Sequence, residues 1–343
     1  MFGKEWVTSE RKYDIFVERN ISIPISDGIT IDADLFRPDS DEKFPVILGI
    51  HSFNNPGQSA PIMPSAFRHQ HAFMEAGDPN FYVRRGYVQI IANVRGTGKS
   101  GGIYHARGKR EVQDVYEMIE WMAKQEWSNG NVGMFGASYF AVLAKFVSAL
   151  KPPSLKCIFA PFGWTDHYRD LRYHGGIIAH RFLEGWLPTV PNPRFYNWSK
   201  ENLDKAVYEE AIERLLEDED ICTVPYLKEA LRNPEVGGNS MVVDLLINNL
   251  DNEYHKEKSM EYKGYEMPTY TGACWGVYGL HLPGAFRDWE NIDKAPKKMV
   301  VGPPLYLDRP LYQYQYESLR WFDYWLKGME TGIMDEPPIR LFL

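Results

Sequence analysis

Cysteine is scarce: three residues in 343, Cys157, Cys222 and Cys274, far apart and without a Cys-x-x-Cys pair. An odd, scattered set supports neither a disulfide framework nor a zinc site. Reduced thiols fit the cytoplasm, where the protein is expected to reside. No apolar run reaches the roughly 18 residues a bilayer-spanning helix needs, so no membrane span is expected. Met1 to Lys12 mixes charged and apolar residues without a hydrophobic stretch, so no secretory signal is read there. Positive charge is also short: 38 Lys and Arg against 46 Asp and Glu give a net charge of -8. With no basic stripe, nucleic acid is excluded as a partner. There is no internal repeat and no low-complexity tract. What remains is an ordinary globular composition, 44% hydrophobic and 24% charged, but rich in aromatics at 14%. That aromatic content serves a large core first and an apolar pocket second. The length suggests a core with an insertion or a second module.

Periodicity divides the chain. Tyr13 to Pro24 and Thr30 to Phe36 alternate apolar and polar residues around Ser26-Asp27-Gly28, which predicts an edge hairpin. Pro45 to Ile50 and Tyr87 to Val94 are short continuous apolar runs, as in buried parallel strands. Glu111 to Gln125 places Val115, Met118, Ile119 and Met122 on one helical face. Strands at 131–135 and 155–160 flank a helix over 141–150, so strands alternate with helices and an α/β parallel sheet is expected. After Gly163 the chain becomes charged and helical, with breaks at Pro188, Pro191 and Pro193 and an amphipathic helix expected over Lys200 to Glu217. The sheet resumes at Pro268 to Cys274 and Lys298 to Gly302. Glu317 to Lys327 predicts an aromatic helix.

Gly136-Ala137-Ser138-Tyr139-Phe140 joins a strand to a helix. A serine on such a strained turn is a nucleophile elbow, and small neighbours such as Gly136, Ala137 and Ala141 are what the turn requires. The Tyr139 N–H opens the helix and points where the oxygen of an attacked carbonyl would sit, half of an oxyanion hole. Gly96-Thr97-Gly98-Lys99-Ser100 looks like the end of a phosphate-binding loop. However, Asn93 stands where that motif needs glycine, and Gly101-Gly102 follows where it needs a helix, so the segment reads as a turn leaving a strand.

Several segments together resemble the CocE/NonD hydrolases, the group of cocaine esterase, α-amino-acid ester hydrolases and X-Pro dipeptidyl-peptidases. They are Arg85-Gly86-Tyr87-Val88, Asn93 to Ser100, Glu120-Trp121, Gly130 to Met134, Ser138-Tyr139, Lys151-Pro152-Pro153, Leu319 to Asp323, Trp325 to Gly328 and Asp335 to Pro338. The resemblance covers nearly the whole chain; Ala141 stands where the group usually has Gly. It implies an α/β-hydrolase fold, a mostly parallel sheet flanked by helices, with an inserted helical cap. It divides the chain into core at 1–162 and 263–336, cap at 163–262, and the start of a C-terminal β-sandwich at 337–343. The rest of that sandwich is missing here, and its loss is expected to expose apolar surface. The implied activity is hydrolysis of a small ester, amide or short peptide with no cofactor. Trp164, His167, Trp275 and Tyr306 are expected at the substrate. Oligomeric state is not written in the sequence.

Three positions depart from the resemblance. Val277 falls where the triad Asp is expected, Tyr306 where the His is expected, and Phe53 where a Tyr hydroxyl serves the oxyanion hole. The histidines end at His281, so the order Ser, Asp, His cannot be met. Two readings follow. In the first, His281 and Asp308 exchange loops: His281 is the base for Ser138, Asp308 orients it, and Tyr139 N–H with a loop group near Phe53 or Asn54 forms the oxyanion hole. In the second, Ser138 has no base and the protein binds a ligand or serves assembly without turnover. His167 could serve as a relocated base, but with Asp166, Asp170 and His174 it reads better as holding cap to core. His69 and His71 lack a third ligand, and no metal is expected.

Overall fold

The alternating and continuous apolar runs separate into an edge hairpin and a buried parallel sheet in the computed structural model, which describes residues 6–58, 73–190, 194–277, 279–302 and 314–343. β1 (Ile15–Pro24) and β2 (Thr30–Pro38) pair antiparallel, as the sequence predicts. β3 (Phe44–His51), β4 (Val88–Asn93), β5 (Ser128–Phe135) and β6 (Leu155–Pro161) follow. β7 (Tyr173–His174) and β8 (Ile177–Ile178) form a separate two-stranded piece. β9 (Thr269–Cys274), β10 (Lys297–Gly302) and β11 (Ile339–Leu341) complete a nine-stranded sheet of order β1-β2-β4-β3-β5-β6-β9-β10-β11. Every pairing from β4 to β11 is parallel. β3, β4 and β9 are buried along their whole length, which is why the first two read as continuous apolar runs.

The helices α1 (Asn55–Gln58), α2 (Pro79–Val83), α3 (Lys109–Ala123) and α4 (Tyr139–Ala149) belong to the first half of the sheet. Between β6 and β9 lie α5 (His180–Trp186), α6 (Trp198–Asn202), α7 (Lys205–Glu217), α8 (Glu219–Cys222), α9 (Pro225–Arg232), α10 (Asn239–Ile247) and α11 (Glu253–Lys256). α12 (Leu282–Asn291) and α13 (Gln315–Lys327) follow. Alternate residues of β3 feed two apolar layers. Val46, Leu48 and Ile50 face Met118 of α3 and Val142 of α4, while Ile47 joins Phe135, Phe159 and the α13 residues Leu319 and Phe322. Among the described residues no helix is long and apolar enough to cross a membrane.

The helical stretch 167–256 sits against the loops at the C-terminal ends of the parallel strands. Tyr104, after β4, exchanges backbone hydrogen bonds with Arg194 and Tyr196 at 2.7 and 2.9 Å, and Met260 N–H reaches the Thr165 carbonyl at 2.8 Å. In open α/β sheets that end carries the binding crevice. The Gly96 turn is the loop the sequence predicts: Ser100 Oγ donates to the Asn93 carbonyl and accepts from Asp32 N–H, and no helix begins before Lys109.

One element differs from its sequence reading. The single helix expected over 200–217 is broken, because Leu203 is extended and Asp204 starts α7 from the cap position. Asn202 Nδ2 closes α6 on the Trp198 carbonyl at 2.8 Å. Asn and Asp compete with the helical backbone and so favour its ends. Ile339–Leu341, in the stretch expected to begin a C-terminal sandwich, pairs with Met299–Val301 as a parallel strand of the central sheet. It covers the edge of β10, which would otherwise present unpaired backbone groups. Trp275, Leu341, Phe342 and Leu343 beside it are exposed.

Candidate active site

Ser138 stands between β5 and α4 with φ 57° and ψ -119°, a conformation sparsely populated for any residue with a Cβ. Such strain costs on the order of 1–3 kcal/mol and persists only where its surroundings impose it. Here they do. Gly136 has φ 147°, and a Cβ there would collide with Phe140 Cβ and lie 2.9 Å from the Glu75 carbonyl oxygen. Ala137 N–H donates to Glu75 O at 2.8 Å, Ser138 N–H to Phe162 O at 2.9 Å, and the Ser138 carbonyl accepts from Val142 N–H at 3.0 Å. The backbone is thus held on both sides of the serine while the residue stays partly exposed. Among the described residues Ser138 Oγ makes no hydrogen bond.

Tyr139 is the first residue of α4, so its N–H has no acceptor within the helix. Its ring is fixed. The phenol donates to Glu111 Oε1 at 2.5 Å, and the ring stacks on Trp186 at 6.4 Å between centroids. Burial pushes the Glu111 carboxyl up to about 7, against the opposing hydrogen bond from Tyr139. The Arg107 guanidinium lies 4.9 Å from the centre of the Tyr139 ring. Phe53, just past β3, packs edge-on to Tyr139 at 6.3 Å and to Trp186 at 6.4 Å. The two residues expected at the oxyanion hole are therefore neighbours.

His281 caps α12 and is 1% exposed. Its ring meets Phe162 edge-on at 6.2 Å, and Phe162 is the residue whose carbonyl holds the Ser138 N–H. Burial, with the nearby Lys145 ammonium, pushes His281 down to about 3. His167 has both ring nitrogens engaged by residues other than the serine. Its Nδ1 lies 2.8 Å from His255 Nδ1, and its Nε2 accepts from Arg172 Nε at 3.4 Å. Its partners His255 and Arg172 lie, like His167 itself, within residues 163–262, so these bonds join parts of that stretch and not cap to core; burial with Arg172 holds its pKa well below normal. Trp164 is buried, 5.5 Å from Phe146 and 5.7 Å from His167 between ring centroids. Trp275 is 40% exposed and donates its Nε1–H to the Phe342 carbonyl, so it serves the C-terminal strand. Val277 ends a 3-10 turn and accepts the His281 N–H at 3.0 Å. Tyr306, Asp308, His69 and His71 lie outside the described residues.

Sequence reading missed Glu111, Arg107, Trp186, Arg172 and His255. In the sequence Glu111 only opens the predicted helix of Glu111 to Gln125, with no sign of a role at the elbow. Only the folded chain turns it toward the elbow.

A strained serine at a strand-to-helix turn, at the C-terminal end of a mostly parallel sheet flanked by helices, defines an α/β-hydrolase fold. The chain belongs to the X-Pro dipeptidyl-peptidase (S15) family, whose pattern it matches over residues 27–304. It is 25% identical to cocaine esterase of Rhodococcus sp. (strain MB1 Bresler), over 95% of this chain and 58% of that one. It is 26% identical to a putative Xaa-Pro dipeptidyl-peptidase of Bacillus anthracis, over 76% of this chain and 42% of the relative. A CocE/NonD family hydrolase from Staphylococcus aureus superposes with a TM-score of 0.69 at 27% identity, covering 95% of this chain and 53% of that one. The chain spans about half the length of these relatives.

Proposed function

We propose that this chain hydrolyses a small ester, amide or short peptide through an acyl-enzyme on Ser138. The observation that supports this best is the strained backbone of Ser138 at the C-terminal end of β5, where the residue stays partly exposed. Ser138 Oγ would attack the substrate carbonyl carbon and lose its proton to a base. The developing oxyanion would face Tyr139 N–H and a loop group at Phe53 or Asn54. The leaving group would take the proton back, and water would then cleave the acyl-serine. His281 is the proposed base and Asp308 its orienting acid, with residues 163–262 acting as a cap that selects the substrate. All three cysteines are free thiols, which suits the cytoplasm we propose for it.

Two observations favour a second reading, a relative that binds without turnover. No described imidazole meets Ser138 Oγ, and burial holds His281 far below the pKa that suits a general base near neutral pH. A fluorophosphonate probe separates the two. Stoichiometric labelling at Ser138, with p-nitrophenyl ester turnover lost in both Ser138→Ala and His281→Ala, is the outcome expected of the hydrolase with its exchanged triad. Turnover that survives His281→Ala removes that residue as base. An unlabelled Ser138 with no turnover leaves the binding protein.

A further inference from the structure

We propose that Arg107, Arg172 and Lys258 form a pocket for a compact oxyanion, a carboxylate or phosphate carried by the substrate, beside the elbow residue Tyr139. The three side chains come from the loop after β4, from the turn after β6 and from the segment after α11, and are 4%, 1% and 4% exposed. They are joined through one run of rings. Arg107 lies 4.9 Å from the Tyr139 ring centre and 5.2 Å from those of Trp164 and Trp186. Trp164 meets His167 at 5.7 Å, and His167 meets Tyr254 at 5.6 Å. Lys258 Nζ sits 4.1 Å over Tyr254, and Arg172 Nε reaches His167 Nε2 at 3.4 Å.

Cations this deep are normally paired, since burying an uncompensated charge is costly. None of the three charged groups has a carboxylate within 4.0 Å among the described residues, Arg107 meeting Glu111 Oε2 only through its backbone N–H at 3.2 Å, although exposed pairs such as Lys200–Glu235 are common elsewhere in the chain. Arg172 Nη1 and Arg107 Nε are fully enclosed with no hydrogen-bond acceptor. The carboxylates nearby are occupied. Asp244 accepts from the N–H groups of Trp198 and Ser199 at 2.8 and 2.7 Å, Glu257 from Trp198 Nε1 at 3.1 Å, and Glu111 from the Tyr139 phenol. Burial, with repulsion from Arg107, pushes Arg172 down to about 9, and burial pushes Lys258 down to about 8 against the opposing charges of Glu257 and Asp244, with Arg107 and Arg172 adding repulsion. A bound oxyanion would relieve that repulsion and supply the missing acceptor, and guanidinium forks and an ammonium are the donors that carboxylates and phosphates take.

The step from anion binding to substrate choice rests on Ser138 as nucleophile, so the two are measured separately. Sodium glutarate and sodium phosphate, each at millimolar concentration, are expected to raise the melting temperature above that in sodium chloride of equal ionic strength. Glutarate alone acting points to carboxylates, phosphate alone to phosphates. The rise should vanish in Arg107→Gln and in Lys258→Met. No rise with either salt in the unsubstituted protein overturns the pocket and leaves the cations held by aromatic rings alone. For turnover, kcat/KM for mono-p-nitrophenyl glutarate over that for p-nitrophenyl valerate should be at least about tenfold, the worth of one charge-assisted hydrogen bond, and should fall toward parity in Arg172→Gln. A ratio near one in the unsubstituted protein, with Ser138 labelled by fluorophosphonate, sinks the substrate assignment while sparing the nucleophile. Stabilisation by anions with Ser138 unlabelled spares the pocket and sinks the nucleophile.

Discussion

Glu111 shows most plainly how a single residue couples stability to the site. It is buried and tied to Tyr139, and its carboxyl titrates near 7 in the folded chain against about 4.5 when unfolded. The folded state therefore holds the proton more tightly. The stabilisation is full below about pH 4.5 and is lost as pH rises toward 7. Buried histidines such as His51, pushed down to about 4, act in the opposite sense, losing stability as pH falls. The difference between Glu111→Gln and the unsubstituted chain isolates the one group. Urea unfolding across pH 4.5 to 7 should show the variant gaining on the parent as pH rises. A difference that stays flat would mean Glu111 titrates normally. None of this was legible at position 111, which in the sequence only opens the predicted helix of Glu111 to Gln125.

Among the elements, α4 and α12 are locked to the sheet by one buried ion pair. Lys145 Nζ meets Asp288 Oδ2 at 2.6 Å with neither side chain exposed. Asp288 also accepts from Tyr262 and Thr271, and Lys145 also donates to the Gly163 carbonyl at 2.7 Å. Gly163 follows Phe162, the residue that holds the elbow, so the pair braces the strand end beside Ser138. Asp288→Leu should cost about 3–5 kcal/mol by leaving the ammonium uncompensated, while Lys145→Met with Asp288→Leu should recover most of that. Guanidinium unfolding of the three variants checks this; equal loss in the single and the double variant would count against it. The elements themselves were largely readable. The hairpin, the buried strands and the helices at 109–123 and 139–149 follow from apolar period alone. The break at Leu203-Asp204 was not, because an amphipathic pattern can run on across two helices that share a face.

For the whole molecule, the last strand decides where the sheet ends. Arg340 binds Glu317 at 2.6 Å and the Tyr270 hydroxyl at 3.2 Å, and Trp275 binds the Phe342 carbonyl. Removing residues 338–343 should lower the melting temperature by several degrees, since each kcal/mol is worth roughly 2–4 °C in domains of 150–250 residues. It should also promote aggregation on heating, because the β10 edge would be bare. Differential scanning calorimetry with light scattering measures both. An unchanged midpoint would show that β11 adds nothing to the fold.

The sequence by itself determined the alternation of strand and helix, the edge hairpin and the turn that strains Ser138, because these depend on neighbours within a few residues of one another. Tertiary structure alone decided that Ile339–Leu341 belongs to the central sheet and that His167 pairs with His255. It alone gathered Arg107, Arg172 and Lys258 around the rings beside Tyr139. Those residues stand 65 and 86 positions apart along the chain. Charge and burial act through space, so a cluster of this kind has no local pattern to betray it.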